Sequence, residues 1–267
     1  MPSKREREYA RRRYQKQAAR AARTARLRRE RLLVVTFTVI GFAALVAALL
    51  LANRNEQPQA GETPTDIAPT DTATDPAALE PLPTTNPEQY EAAPPASDAL
   101  AQDWNVTMTT NVGDITMVLH GADAPQAVAN FVFLANNGYF DGTACHRLMP
   151  DALLQCGDPT ATGQGGPGYS WGPIENAPED GVYPAGTVAM ARVGGDGESM
   201  GSQFFLVFAD VPLPADAAGG YSVFGEITGG LEILQQIGAG GVDPNSVGQD
   251  GTGRPATDVI ITTVEVE

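Results

Sequence analysis

Residues 32–52 contain neither a charge nor a proline, and they separate two stretches of opposite electrostatic character. At a rise of 1.5 Å per residue, these 21 residues make a helix that spans a hydrocarbon core of about 30 Å. The run is longer than the roughly 7–15 apolar residues of a secretory signal, and its charged leader is also long. An uncleaved transmembrane anchor over 32–52 is therefore expected in preference to a cleaved signal peptide. Residues 1–31 hold 13 of the 17 Lys and Arg residues, which predicts a cytoplasmic N-terminus and an extracytoplasmic remainder. Beyond residue 52 there are four arginines, no lysine and 29 acidic residues, a balance that excludes general nucleic-acid binding.

Residues 53–101 read as a disordered linker. They contain nine prolines, nine acids and many Ala and Thr, without hydrophobic periodicity. Such a composition does not repay the entropy of folding. From residue 102 to 267 the pattern is globular. Val106–Thr110 and Ile115–Leu119 are strand-like runs around Asn111–Asp114, and Ala124–Asn136 has helical periodicity. Further strands are expected at Thr187–Ala191, Gln203–Phe208, Tyr221–Ile227 and Asp258–Val266, with a short helix at Leu231–Ile237. Seven or eight strands with two helices favour a mainly β fold, a closed antiparallel barrel with the helices as caps.

One stretch of this domain concentrates functional residue types. His146 and Arg147 lie on the first arm of a short hairpin that turns at Pro150-Asp151 and returns through Leu153 and Gln155. The glycine-rich loop Gly163–Gly168 lacks the Lys-Ser/Thr of a phosphate loop, so nucleotide binding is not expected. His146 and His120 have no zinc-site spacing. Cys145 and Cys156 lie near cross-strand positions of the hairpin. A disulfide and a pair of buried thiols both fit, because sequence does not fix the register.

Four blocks in order give the domain a family resemblance. They are His146-Arg147-x-x-Pro150 with Gln155-x-Gly157-Asp158, Pro184–Ala191, Gly201–Leu206, and Val223-Phe-Gly225. From about Asp103 to Glu267 the chain resembles the cyclophilin family of peptidyl-prolyl cis–trans isomerases. That resemblance implies an eight-stranded barrel capped by two helices, and no cofactor. Arg147 falls on the family's catalytic arginine, and Phe205 on the phenylalanine that floors its proline pocket. His146, Leu153, Gln155, Ala191, Arg192 and Gln203 fall on further substrate-contacting positions, with Leu213 and Tyr221 near two others. Ala152 and Cys145 stand where the family usually has phenylalanine, and Cys156 where it has glycine. No tryptophan lies in Val211–Gly220, so cyclosporin binding is not carried over.

Rotation about an X–Pro bond breaks no bond, but it crosses a barrier of about 18–20 kcal/mol. A catalyst must hold the twisted amide better than either planar form, and a fixed guanidinium with an apolar seat for the ring suits that task. The implied partners are proline-containing polypeptides, with the membrane contacted through residues 32–52, and a monomer is expected. The alternative is a catalytically weak module that binds proline-containing peptides, for which Ala152 is the motivating departure.

Overall fold

A computed structural model of the chain describes residues 81–267. The basic segment, the apolar run 32–52 and the linker as far as residue 80 lie outside the described residues. No described helix is long and apolar enough to cross a membrane.

The described residues form ten strands, β1 (Asp103–Thr110), β2 (Gly113–His120), β3 (Arg147–Met149), β4 (Leu153–Cys156), β5 (Val182–Tyr183), β6 (Thr187–Met190), β7 (Phe204–Val207), β8 (Val211–Pro212), β9 (Val223–Gly229) and β10 (Ile261–Val266), with alternate burial along β1 and β2 and full burial of β6 and β7. Eight of them form one antiparallel sheet in the order β10-β1-β2-β9-β6-β7-β4-β3, while β5 and β8 pair separately. The sequence predicts a closed barrel, but the ladder is open between β3 and β10. A three-residue β3 is too short to pair along β10. Instead, isolated bridges at Ala144↔Ile260 and Leu148↔Gly253 stitch the seam. The β5–β8 ribbon has only two residues per arm, too few for a periodicity signal.

Both expected helices are present, as α1 (Pro125–Asn136) and α2 (Leu231–Gly240). Ala124 before α1 offers no capping oxygen. The Glu175 carboxylate supplies it from a distant loop, accepting from Gln126 N at 3.0 Å and Ala127 N at 2.9 Å. Phe131 of α1 packs against the rings of Phe140, Phe204 and Phe224 at centroid distances of 5.0, 5.3 and 5.6 Å. This aromatic knot joins the helix to the inner face of the curled sheet.

Residues 81–101, placed by composition in the linker, lie along the domain. Thr85 N donates to Pro159 O and Tyr90 N to Pro167 O, each at 2.8 Å. The Tyr90 ring meets Phe133 of α1 edge-on at 4.8 Å, and Gln126 donates to Pro94 O at 2.8 Å. A 3₁₀ turn at Ala96–Ala99 buries Ala99 and gives Trp104 Nε1 a carbonyl at 2.9 Å. Each contact uses a single aromatic ring or backbone group, which leaves no periodic pattern in the sequence.

This arm stabilises the fold by about 2–4 kcal/mol, from one aromatic pair and several hydrogen bonds of about 1 kcal/mol each. A chain starting at residue 102 is therefore expected to melt about 5–15 °C below one starting at residue 81. Equal melting temperatures in a thermal scan would show that the arm contributes nothing.

Candidate active site

Antiparallel register assembles the site. Arg147 on β3 pairs with Gln155 on β4, Gln155 with Phe205 on β7, Phe205 with Ala189 on β6, and Ala189 with Val223 on β9. Directly opposed residues point to the same side of a sheet, so these five side chains form one row across five strands. The neighbouring row, Leu148, Leu154, Leu206 and Val188, belongs to the main core on the other face. Phe204 likewise faces the core, whereas Phe205 and Val207 face outward.

On the outer face a second apolar cluster forms around Phe205. Ala152, Leu153, Tyr183, Ala189, Val207 and Val211 are buried with it, and Met149, Ala191, Leu213, Tyr221 and Val223 form a half-buried rim. The Tyr221 ring meets Phe205 edge-on at 5.4 Å, and Tyr183 meets it at 6.4 Å. Ala152 is only 3% exposed and lies in the packed base of the cluster. The structure thus brings Phe205, Leu153, Ala191, Leu213 and Tyr221 together in one apolar cluster. Met149 and Tyr183 join them without having been singled out.

The polar end of the row is a directed chain of hydrogen bonds. Arg147 Nη1 donates to Gln155 Oε1 at 3.4 Å, Gln155 Nε2 to Gln203 Oε1 at 2.8 Å, and Gln203 Nε2 to Gly165 O at 2.9 Å. The last acceptor is held by Asp158, whose fully buried carboxylate accepts from Thr160 N and Oγ1, Thr162 N, Gly163 N and Gly165 N. Burial alone would raise the Asp158 pKa, but the Thr160 and Gly165 hydrogen bonds and nearby His146 bring it below the ordinary 3.8. Gly165 must be glycine here, because a Cβ would overlap Asp158 Oδ1. Gly157 has φ +85°, and a Cβ there would overlap Ser202 O. The Gly157-Asp158 pair thus fixes the loop that ends the chain.

Two further residues hold Arg147. Nε donates to Thr252 Oγ1 at 3.0 Å and Nη2 to Asp250 Oδ2 at 3.3 Å. Asp250 also accepts from Thr252 N at 3.2 Å and Thr252 Oγ1 at 2.9 Å. Neither residue was anticipated. They lie more than 100 positions from Arg147, in a glycine-rich loop whose only signal is its turn residues. Three of the five guanidinium N–H groups are engaged, which leaves one on each Nη for a ligand. The Arg147 side chain is 36% exposed and that of Asp250 61%, so their ion pair is open to water and screened.

A cavity of about 730 Å³ lies beside Arg147, His146 and Gln155, and residues Pro81, Leu82 and Thr84 of the N-terminal arm line it too. A second, of about 290 Å³, lies on the other side of Gln155 against Ala191 and Gln203. His146 is half-buried, and neither of its ring nitrogens has a hydrogen-bond partner among the described residues. Burial lowers its pKa from 6.5, opposed by Asp158 and reinforced by Arg147. The imidazole therefore lines the cavity with its charged form disfavoured. Arg192, at a position whose substrate contacts the resemblance assigns largely to the backbone, lines the second cavity and turns its side chain inward. That side chain is 1% exposed and is directed at backbone carbonyls of 193, 219 and 220. The physical reason is that a buried guanidinium must satisfy its donors within the protein.

Cys145 and Cys156 form a disulfide. It ties the chain before β3 to the end of β4, immediately beside His146, Arg147 and Gln155. Both sulfur-bearing residues are fully buried.

A curled antiparallel sheet with a fixed arginine next to an apolar seat defines a cyclophilin-like domain. The family model for cyclophilin-type peptidyl-prolyl cis-trans isomerases matches residues 105–266, and the chain belongs to that family. A protein named probable peptidyl-prolyl cis-trans isomerase B from Mycobacterium tuberculosis is 43% identical over 176 residues, which is 60% of this chain and 53% of that protein. The chain thus spans about half the length of this mycobacterial relative. A peptidyl-prolyl cis-trans isomerase from Helicobacter pylori is 40% identical over 147 residues, 54% of this chain and 86% of that protein. A crystal structure of a Cryptosporidium parvum cyclophilin-type isomerase, in the presence of the dipeptide Ala-Pro, superposes with a TM-score of 0.52 at 29% identity. It covers 61% of this chain and 98% of that one.

The buried imidazole makes stability pH-dependent. Below pH 6.5 the unfolded chain binds a proton at His146 that the folded chain resists, so stability falls as pH drops from 6.5 towards the depressed folded pKa. The loss in urea-unfolding free energy between pH 7.5 and 5 is expected to be smaller in His146→Gln. An identical loss in both proteins would remove His146 as its source.

Proposed function

We propose that the domain catalyses cis–trans isomerisation of X–Pro bonds in extracytoplasmic polypeptides. The observation that carries this reading is the single row placing Arg147 and Gln155 next to Phe205. A proline ring seated in the apolar cluster holds one side of the amide still. Twisting then localises the nitrogen lone pair and frees the carbonyl from resonance. The two remaining N–H groups of Arg147 stabilise that charge distribution, and the guanidinium stays charged at any working pH. Lowering the barrier by about 8 kcal/mol corresponds to roughly a million-fold acceleration. Relatives named as isomerases support the activity.

The second reading, a module that binds proline-containing peptides with little turnover, was motivated by Ala152. Its burial at the packed base, with Met149, Leu213 and Tyr221 around the rim, weakens that motive.

Turnover of a proline tetrapeptide by the full chain decides between the two. Arg147→Ala is expected to lower kcat/KM by on the order of 10²–10³-fold, the usual cost of one preorganised charge-stabilising donor. Arg147→Lys should recover only part of this, because an ammonium keeps the charge and loses the fork. Wild-type turnover no faster than Arg147→Ala would end the catalytic reading, and peptide binding without turnover would select the module.

The extracytoplasmic placement, with an anchor at 32–52, is supported by the basic leader and by the disulfide, since disulfides persist in oxidising compartments. Protease added to intact cells is expected to degrade the domain. Protection until the membrane is breached would place it inside.

A further inference from the structure

Of the three arginines among the described residues, Arg192 is the most buried. Its side chain is 1% exposed, against 13% for Arg254 and 36% for Arg147. A cation in that position requires dense compensation. Nε donates to Gly220 O at 2.8 Å and Nη2 to Gly219 O at 2.6 Å. Nη1 is shared between Val193 O at 3.2 Å and Asp216 Oδ2 at 3.0 Å. Asp216 in turn accepts from Gly195 N and Ala218 N, each at 2.8 Å. The guanidinium therefore joins the loop after β6 to the loop between β8 and β9.

These contacts converge on one aromatic ring. The Arg192 Cζ lies 4.8 Å from the Tyr221 ring centroid, over its face. The Tyr221 ring meets Phe205 at 5.4 Å with an interplanar angle of 87°. Its backbone N–H donates to the hydroxyl of fully buried Tyr183 at 2.7 Å. Tyr221 is thus fixed along its backbone by Tyr183 and on its face by Arg192, which also holds the preceding Gly220 carbonyl, so that its ring stands against Phe205.

We propose that Arg192 is a positioning residue that holds Tyr221 as the wall beside Phe205 and thereby sets the width of the ring seat. The inference rests on the reading that a substrate's proline ring occupies that seat. Its consequence is selectivity for ring size. A seat fitted to a five-membered ring should disfavour a six-membered one by about tenfold or more, since one methylene in an apolar pocket is worth roughly 10–200-fold. Releasing Tyr221 should relax that ratio. A guanidinium that merely stapled two loops would change stability and leave the ratio alone.

The test compares prolyl and pipecolyl versions of one tetrapeptide, the second carrying the six-membered ring, with the full chain. Arg192→Ala is expected to raise KM for the prolyl peptide more than it lowers kcat. It should also narrow the prolyl-over-pipecolyl preference in kcat/KM by at least about threefold, a part of the methylene effect. Arg192→Lys should fall between, because an ammonium over the ring cannot also serve both glycine carbonyls. Tyr221→Ala leaves the Arg192 hydrogen bonds in place and should narrow the preference similarly, so it carries the test if Arg192→Ala fails to fold. The double variant should add nothing to Tyr221→Ala, as expected of residues acting through one contact. An unchanged preference in both single variants overturns the inference, as does full additivity. If the wild type turns over neither peptide, the isomerase reading fails by itself. The ratio of dissociation constants for the two peptides then decides the role of Arg192 by the same criteria.

Discussion

Everything at the site depends on the pairing of β3, β4, β7 and β6 in a single register. A one-residue slip in a strand exchanges its two faces. Here a slip of β7 would bring Phe204 and Leu206 out of the core and bury Phe205 in it. The register is defended from several directions. On the inner face, Phe204 is trapped against Phe131 and Phe140 at 5.3 and 5.6 Å. At the hairpin, the disulfide joins the chain before β3 to the end of β4. At the end of β4, Gly157 makes a backbone approach to Ser202 that a side chain would block. The core thus decides which face carries the chemistry, and packing energy spent on the inner row positions the outer one.

The electrostatic design follows from a scarcity of positive charge. Among the described residues each arginine is paired with an aspartate: Arg147 with Asp250, Arg192 with Asp216, and Arg254 with Asp258. Burial separates their roles. Arg192 is enclosed and committed to four acceptors, and such a group defines geometry. Arg147 is the most exposed of the three and is held at three points with two donors to spare. Its partner Asp250 is more exposed still, so their contact is screened by water and is not a buried pair. The buried carboxylate of Asp158 works from a distance, through the loop that presents Gly165 O to Gln203.

How much of this was legible in the sequence depended on the range of each interaction. Alternation and helical periodicity identified the long strands, both helices and the outward placement of one face of Gln203–Phe208. Motif order singled out Arg147, Gln155, Gln203 and Phe205, which the hairpin and the start of β7 bring side by side. Closure of the sheet was misjudged, since strand count says nothing about whether a three-residue edge can reach its partner. Thr252 and Asp250 were invisible because their role exists only after a loop far along the chain folds back on Arg147. The arm at 81–101 was read as linker from its prolines and acids, yet a few isolated residues, Tyr90 and Ala99 among them, anchor it. By its position in the sequence Ala152 replaces an aromatic wall. In the folded domain the rim comes from Met149, Leu213 and Tyr221, which lie on three separate segments.

Catalysis of a rotation makes different demands from catalysis of bond cleavage. No group has to change protonation, so the site can be surrounded by acids and lined by an unpartnered imidazole without losing competence. What it does need is rigidity on one side of the amide and freedom on the other. The apolar cluster would supply the first in the proposed mechanism, with Phe205 only 4% exposed and wedged between two tyrosine rings. The cavity beside Arg147, of about 730 Å³, would supply the second in the proposed mechanism. Residues 81–84 line that cavity, so the segment entering the domain bounds the region where the moving half of the substrate would turn. In the proposed mechanism the rigid half would be set by sheet register and the Arg192 contacts to Tyr221. The mobile half is bounded by the chain's own entry into the fold.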